Sequence, residues 1–183
     1  MKTIQNFIQT FTGKKFWPLD PDPADIDIQD IAHALSLQCR WTGHCREFYS
    51  VAQHSCLVSD YSKDKKWGLL HDASEAYLID LARPVKKDER MAFYQAAEEK
   101  IMVAVAEKFG LKLPIPADVH QMDNKLLMTE RRDLLVPMEW TEGEEKMAGT
   151  VETYELTINP WHCEYAEKQF LLRYQLFFGG VGA

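Results

Sequence analysis

Five side chains of the kinds that bind metals and transfer protons stand out in this chain. They are His54, the adjacent pair His71 and Asp72, the nearby Glu75, and Asp123. Imidazole and carboxylate groups are good ligands for a divalent cation, and they are costly to bury without a partner. These residue types therefore predict a metal centre with His54, His71, Asp72 and Asp123 as ligands, and with Glu75 as a spare carboxylate.

The surroundings of His54 and Asp123 support this prediction. Apolar residues stand at helical spacing about both of them: Val51, Leu57 and Val58 around His54, and Val119, Leu126 and Leu127 around Asp123. A histidine on an apolar face is more often a hydrogen-bonded core residue than a ligand. A carboxylate in such a stripe, however, must be paired or metal-bound.

The segment from Trp67 to Leu78 predicts one continuous helix. That helix would place His71 and Glu75 one turn apart, with Asp72 about 100° round from His71. A metal ion lying against it could contact His71 and Asp72 together, with Glu75 close by.

Composition predicts an ordinary soluble protein with one domain, since the 183 residues are 46% hydrophobic and 27% charged. The 28 acidic residues exceed the 21 basic ones, which argues against coating of a nucleic-acid polymer. No apolar run approaches the ~18 residues of a membrane span, and no signal-peptide core follows Met1, so we expect a cytoplasmic protein without a membrane partner. The four cysteines lack a Cys-x-x-Cys spacing and are predicted to be free thiols.

Helical spacing recurs along most of the chain and predicts an all-α fold in a single domain over residues 1–183. Helices are predicted over 28–37, around His54, over 92–109 with Gly110 as terminator, from Pro116 to about Leu135, and over 161–178. Asp25 or Asp27, and Asp64, are predicted N-caps. The stretches 80–86 and 142–150 are predicted loops.

The ligand pattern resembles a known family. His54, the pair His71-Asp72 and Asp123 are similar to the H…HD…D pattern of HD-domain metal-dependent phosphohydrolases. The segments 31–36, 40–44, 48–55, 71–77 and 80–86 further resemble the branch that contains bacterial 5′-deoxynucleotidases and phage dATP triphosphohydrolases. The likeness covers a core of about residues 28–130, and it implies an HD-domain helical bundle whose metal is bound by these four residues.

The resemblance also implies catalytic roles. Asp72 belongs to the reaction centre, and Glu75 orients or activates the attacking water. Chemistry favours the same roles, because a divalent ion lowers the pKa of a bound water and a nearby carboxylate accepts its proton. Ile79 departs from the pattern, since many relatives have glycine there. His33 and His44 lie inside the resemblance but outside the ligand pattern, which favours hydrogen-bonding roles.

Substrate contacts are implied in the same way. Arg40 and Lys86 resemble phosphate-binding cations, Trp41 an aromatic that packs on the sugar and rejects a 2′-hydroxyl, Asp80 a residue near the sugar hydroxyls, and Pro84 a wall of the base site. From the residues alone, Arg40 could equally form a salt bridge to a site carboxylate. Lys86 could be a solvated cation at a helix start, and Trp41 a core residue.

The expected function is hydrolysis of a small deoxynucleotide. The segments 40–44 and 48–52 favour the phage type, a dNTP triphosphohydrolase acting on dATP to release deoxynucleoside and triphosphate. The alternatives are a 5′-deoxynucleotidase, an HD-type phosphodiesterase or alarmone hydrolase, and a non-catalytic nucleotide sensor. Two imidazoles with two carboxylates suit Zn²⁺, Mn²⁺, Co²⁺ or Fe²⁺. A homo-oligomer is expected through the apolar C-terminal helix.

Overall fold

Helices account for most of the described chain. The computed structural model describes residues 6–141 and 152–179. The helices are α1 (Ile28–Leu37), α2 (Val51–Tyr61), α3 (Lys65–Leu70), α4 (Glu75–Leu78), α5 (Arg83–Lys86), α6 (Ala92–Phe109), α7 (Ala117–Leu134) and α8 (Cys163–Phe178). A small antiparallel hairpin, β1 (Ile8–Gln9) and β2 (Lys15–Phe16), precedes them. Short 3-10 turns lie at Pro23–Asp25, Trp41–Gly43 and Glu89–Met91. The predicted all-α fold is confirmed.

Side-chain caps and one glycine fix several helix ends. Asp27, Ser50 and Asp64 each accept a hydrogen bond from an amide two or three residues further along the chain, which begins α1, α2 and α3. Gly110 adopts the left-handed conformation, with φ 65°, and ends α6. Asp27 rather than Asp25 is therefore the cap of α1, and Asp64 is a cap as predicted.

The observed bounds match the predicted ones closely for the longer helices. The predictions for α1 and α6 are confirmed at both ends, and α7 ends at Leu134. The last helix begins at Cys163, two residues later than predicted. The predicted loop at 142–150 lies outside the described residues.

Helix α2 is the central element of the bundle, because it packs against α1, α3, α7 and α8. Its contact with α3 is unusually close: a Cβ added at Gly68 would lie 2.7 Å from the Cα of Ser59, so only glycine fits there. The surrounding core is apolar and fully buried, with Ile31, Leu35, Leu69, Leu70, Ile101, Leu126 and Phe170 among its members. This packing holds the C-terminal end of α3 against α2.

One predicted loop contains a helical turn. The sequence predicts a loop over 80–86, which contains Pro84, but α5 spans Arg83–Lys86 with the proline in its first turn. The prediction is wrong because a first-turn proline sacrifices no intrahelical hydrogen bond and already has a helical φ.

Two predictions made from composition can be compared with the structure. Cys39, Cys45, Cys56 and Cys163 are free thiols, as predicted. Within residues 6–141 and 152–179, no helix combines the length and the apolar character that crossing a membrane requires.

Ile79 has a backbone conformation that normally requires glycine. It follows α4 with φ 122° and ψ 151°, a region in which a side chain, above all a β-branched one, is strained. Neighbours fix it on both sides, because the Tyr94 hydroxyl donates to the Ile79 carbonyl (2.7 Å) and the Asp80 amide donates to Gln38 Oε1 (3.0 Å). This backbone is one that glycine, which has no Cβ, adopts without such strain.

We predict that Ile79→Gly raises the free energy of unfolding by about 1 kcal/mol. Relief of strain contributes about 1–3 kcal/mol, and the greater flexibility of glycine offsets about 0.5–1 kcal/mol of it. Ile79 is 56% exposed, so little burial is lost. Urea denaturation provides the measurement. Ile79→Ala is the matched control, since it retains a Cβ and should bring no such gain; equal effects of the two variants would contradict the strain.

Candidate metal centre

The chain breaks its helix where the candidate ligands lie. Residues 71–74 form turns between α3 and α4, so the prediction of one continuous helix from Trp67 to Leu78 is wrong. The His71 Nδ1–H donates to the carbonyl of Gly68 (2.9 Å), which in a continuous helix would accept from the amide of Asp72. The Glu75 amide donates to the Asp72 carbonyl (3.0 Å), three residues earlier, so this turn is tighter than a turn of α-helix.

This turn brings four polar side chains from three parts of the chain together. The Nε2 atoms of His54 and His71 lie 3.3 Å apart. Asp72 Oδ2 lies 3.2 Å from His71 Nε2 and 3.6 Å from His54 Nε2. Asp123 Oδ1, from α7, lies 3.2 Å from His54 Nε2. The structure therefore places together the four residues that were predicted as ligands.

Hydrogen bonds on the far side of each imidazole determine which nitrogen faces the cluster. His54 Nδ1 lies 2.6 Å from Glu130 Oε1, and His71 Nδ1 lies 2.9 Å from the Gly68 carbonyl. Both partners are acceptors, so each Nδ1 carries the hydrogen. Both neutral rings would then direct an Nε2 lone pair to the same point, which is the arrangement that metal-binding histidines use.

The spacing of the donor atoms fits one ion. Ligands bound at about 2.0–2.2 Å around a tetrahedral ion lie about 3.3–3.6 Å from one another. The distances among His54, His71 and Asp72 run from 3.2 to 3.6 Å, and these three residues form a group that can hold a metal ion. Asp123 adjoins the group through its contact with His54.

The carboxylates of the cluster are held in their charged form. Burial acts to raise the pKa of Asp72, but His71, His54 and Arg40 outweigh it and hold that pKa well below its ordinary range. Burial likewise opposes ionisation of Asp123, yet the hydrogen bond and charge of His54 bring its pKa to about 2. At neutral pH both side chains are anions, as ligands of a divalent cation must be.

Glu75 lies beside the cluster without a partner for one of its oxygens. Its side chain is buried, and within the described residues its Oε2 makes no hydrogen bond. Burial and the neighbouring charges of Asp72 and Asp80 raise the pKa of Glu75 well above its ordinary value. A buried carboxyl with one oxygen left open in this way and with a raised pKa is a candidate for proton transfer.

Arg40 and Trp41 contact the same carboxylate. Arg40 Nε and Trp41 Nε1 each lie 3.2 Å from Glu130 Oε2, and Arg40 Nη1 lies 3.5 Å from Asp72 Oδ2. Arg40 therefore forms a salt bridge to a site carboxylate, which was the alternative to phosphate binding. Trp41 and Thr42 have positive φ angles, 57° and 54°, so this short turn is strained.

The remaining predicted substrate contacts lie on the segment after α4. Lys86 pairs with Glu98, the Asp80 amide is held by Gln38, and Pro84 is exposed in the first turn of α5. Their roles toward a substrate remain predictions.

The histidines outside the ligand pattern lie apart from the cluster. His33 Nδ1 lies 3.1 Å from Glu167 Oε2, and its ring stacks on Phe11. His44 is exposed. The hydrogen-bonding role predicted for His33 is confirmed.

Sequence reasoning missed two residues of the site. Glu130 is fully buried and contacts His54, and its apolar neighbours Leu126 and Leu134, at i−4 and i+4, carried the same signal that identified Asp123. Arg83 donates to Asn124 Oδ1 (3.0 Å) and lies 3.4 Å from Asp123 Oδ2. No spacing signal distinguishes it from an ordinary surface arginine.

Fold and site together define an all-α protein in which two buried histidines meet partly exposed aspartates, and in which His54, His71 and Asp72 could hold a metal ion. The chain is 43% identical over 131 residues to uncharacterized protein YfdR of Escherichia coli K12, which covers 70% of this chain and 72% of YfdR. It therefore belongs to the family of YfdR. It is also 36% identical over 119 residues to uncharacterized protein RCAP_rcc00048 of Rhodobacter capsulatus, across 59% of this chain and 60% of that protein. No family model matches the chain.

We predict that metal affinity rises with pH. Burial and Arg40 act to lower the pKa of His54, but Glu130 and Asp123 outweigh them and raise it to about 9. Below that pH His54 is protonated, so an ion must displace its proton. Between pH 7 and 8.5 the association constant for Mn²⁺ should rise about tenfold per pH unit.

Isothermal titration calorimetry with Mn²⁺, run in buffers of different ionisation enthalpy, measures both the affinity and the proton released. His33→Ala changes a histidine outside the cluster and should follow the wild-type slope, whereas His54→Ala should bind weakly at every pH. An affinity independent of pH would contradict the assignment.

Proposed function

We propose that this protein is a metal-dependent phosphohydrolase of deoxynucleotides with an HD-type centre. In this proposal His54, His71, Asp72 and Asp123 hold one divalent transition metal, Zn²⁺, Mn²⁺ or Co²⁺. The resemblance to HD-domain phosphohydrolases gives the reaction class, and the site geometry is compatible with it.

One observation carries the proposal: two histidine Nε2 atoms and a carboxylate oxygen converge within 3.6 Å beside the buried Glu75, whose Oε2 makes no hydrogen bond to any described residue. A purely structural metal site has no use for that extra carboxyl. Since Glu75 has no hydrogen bond at Oε2 among the described residues, it is available to a substrate or a water molecule.

A divalent ion in this cluster supplies Lewis acidity, which lowers the pKa of water and polarises a phosphoryl oxygen. Glu75 then has the task of accepting the proton of the attacking water. Its raised pKa suits that task, because a carboxylate with a higher pKa is a stronger base. As the water attacks phosphorus, the bond between phosphorus and the 5′-oxygen would break; the 5′-oxygen would take up a proton equivalent to the one that Glu75 accepted, and deoxynucleoside and triphosphate would be released.

Cations border the cluster and would hold the phosphates. Arg40 contacts Asp72, and Lys86 lies in α5 beside Glu98. We add Arg83, whose side chain is 37% exposed next to Asp123 and is the more accessible of the two arginines. Guanidinium groups bind phosphate oxygens in pairs and stabilise the charge that develops on them.

We propose dATP as the substrate, with deoxyadenosine and triphosphate as products. Three cations suit a polyphosphate better than a single phosphate, and the segments 40–44 and 48–52 resemble the phage triphosphohydrolases. Trp41, which is anchored through its indole N–H, would pack against the deoxyribose.

We predict that Glu75→Gln lowers kcat for dATP about 10²- to 10⁴-fold and leaves the affinity for Mn²⁺ unchanged, because the amide retains the shape of the side chain but cannot accept the proton. Deoxyadenosine and triphosphate are separated by ion-exchange chromatography after incubation with Mn²⁺. Glu89→Gln is the matched control, since Glu89 is an exposed glutamate away from the cluster.

Other outcomes would assign a different function. Release of phosphate from dAMP, with dATP untouched, would favour a 5′-deoxynucleotidase. Cleavage of cyclic or 3′-pyrophosphorylated nucleotides alone would favour the phosphodiesterase or alarmone-hydrolase alternative. Nucleotide binding without turnover would favour a sensor, and full activity of Glu75→Gln would contradict the role of Glu75.

A further inference from the structure

Glu130 is a charged side chain at the centre of the bundle, with no exposed surface. Four donors surround its carboxylate. Oε1 accepts from the Tyr49 hydroxyl (2.9 Å) and lies 2.6 Å from His54 Nδ1, while Oε2 accepts from Arg40 Nε and Trp41 Nε1, both at 3.2 Å. Each oxygen therefore serves a different part of the site.

The stability of the fold does not by itself require a charged residue at position 130. Burying a carboxylate carries a large desolvation penalty before its partners compensate, and apolar residues of similar size often stabilise such a position as well or better. Helix α7 already has apolar neighbours one turn away on either side of Glu130, Leu126 and Leu134. The charge of Glu130 is explained by the two side chains that it orients, His54 and Arg40.

The contacts of Glu130 continue into the metal cluster along two routes. On one route Glu130 contacts His54, whose Nε2 lies 3.6 Å from Oδ2 of the predicted ligand Asp72. On the other route Glu130 contacts Arg40, whose Nη1 lies 3.5 Å from the same oxygen of Asp72. Glu130, His54, Asp72 and Arg40 thus form a closed ring of polar contacts.

We propose that Glu130 is a positioning residue for the metal centre: from one carboxylate it holds the Nδ1–H of His54, which directs Nε2 to the cluster, and the guanidinium of Arg40, which orients Asp72. The inference rests on the proposed function only for its catalytic consequence. Its consequence for metal binding stands without any substrate.

The test uses the full chain and Mn²⁺ alone as the probe. Glu130→Gln retains the size of the side chain but offers one acceptor oxygen in place of two, so it cannot hold both His54 and Arg40. We expect the Kd for Mn²⁺ to rise about 10- to 100-fold, as is typical when the partner of a ligand histidine is removed. Glu167→Gln removes a carboxylate from His33, outside the cluster, and should leave the Kd unchanged.

A second comparison separates positioning from folding. Tyr49→Phe removes a buried donor to Glu130 and should lower stability, while the contacts to His54 and Arg40 remain and the Kd for Mn²⁺ is retained. If Glu130→Gln folds and binds Mn²⁺ like the wild type, or if Tyr49→Phe weakens binding equally, the proposal is wrong.

If Glu130→Gln does not fold, the wild-type protein loaded with Zn²⁺ decides the matter by nitrogen-15 NMR of its histidines. The proposal requires His54 to carry its hydrogen on Nδ1, and a hydrogen on Nε2 would overturn it. These measurements are independent of hydrolysis. Absence of turnover in the wild type would therefore defeat the proposed function and leave the role of Glu130 to be decided by metal affinity.

Discussion

A fully buried histidine surrounded by carboxylates is the feature on which the rest of the molecule depends. His54 has no exposed surface, yet it contacts Asp72, Asp123 and Glu130. So much charge inside an apolar bundle is tolerable only where opposite charges and hydrogen bonds compensate it. Helix α2 supplies His54, while α7 and the turn between α3 and α4 supply its carboxylate partners, so the placement of these three segments serves that requirement.

The polypeptide departs from regular geometry where it serves the cluster. The imidazole of His71 donates a hydrogen bond to the backbone carbonyl of Gly68. This bond ends α3, and the turn that follows directs His71 and Asp72 to the same point. Positive φ angles at Trp41 and Ile79 occur in the two segments that flank the site. Such conformations persist only where surrounding contacts determine them, and they concentrate at functional sites. The apolar core supplies the rigidity that keeps these segments in place.

Much of this arrangement could be predicted from the sequence, and the remainder depended on tertiary contacts. Apolar residues at helical spacing identified His54 and Asp123, and capping residues located the start of α1. The break after Leu70 could not be predicted, because a hydrogen bond from the His71 side chain decides it. Glu130 stands in an apolar stripe but is followed by two arginines, so it resembled a surface residue.

We propose that His54, His71, Asp72 and Asp123 bind one divalent ion. Anomalous diffraction from crystals grown with Mn²⁺, collected above and below the manganese absorption edge, tests it most directly. We expect one dominant anomalous peak within bonding distance of His54 Nε2, His71 Nε2 and the two aspartates. A protein that binds Mn²⁺ through other residues, with no peak at this cluster, would contradict it.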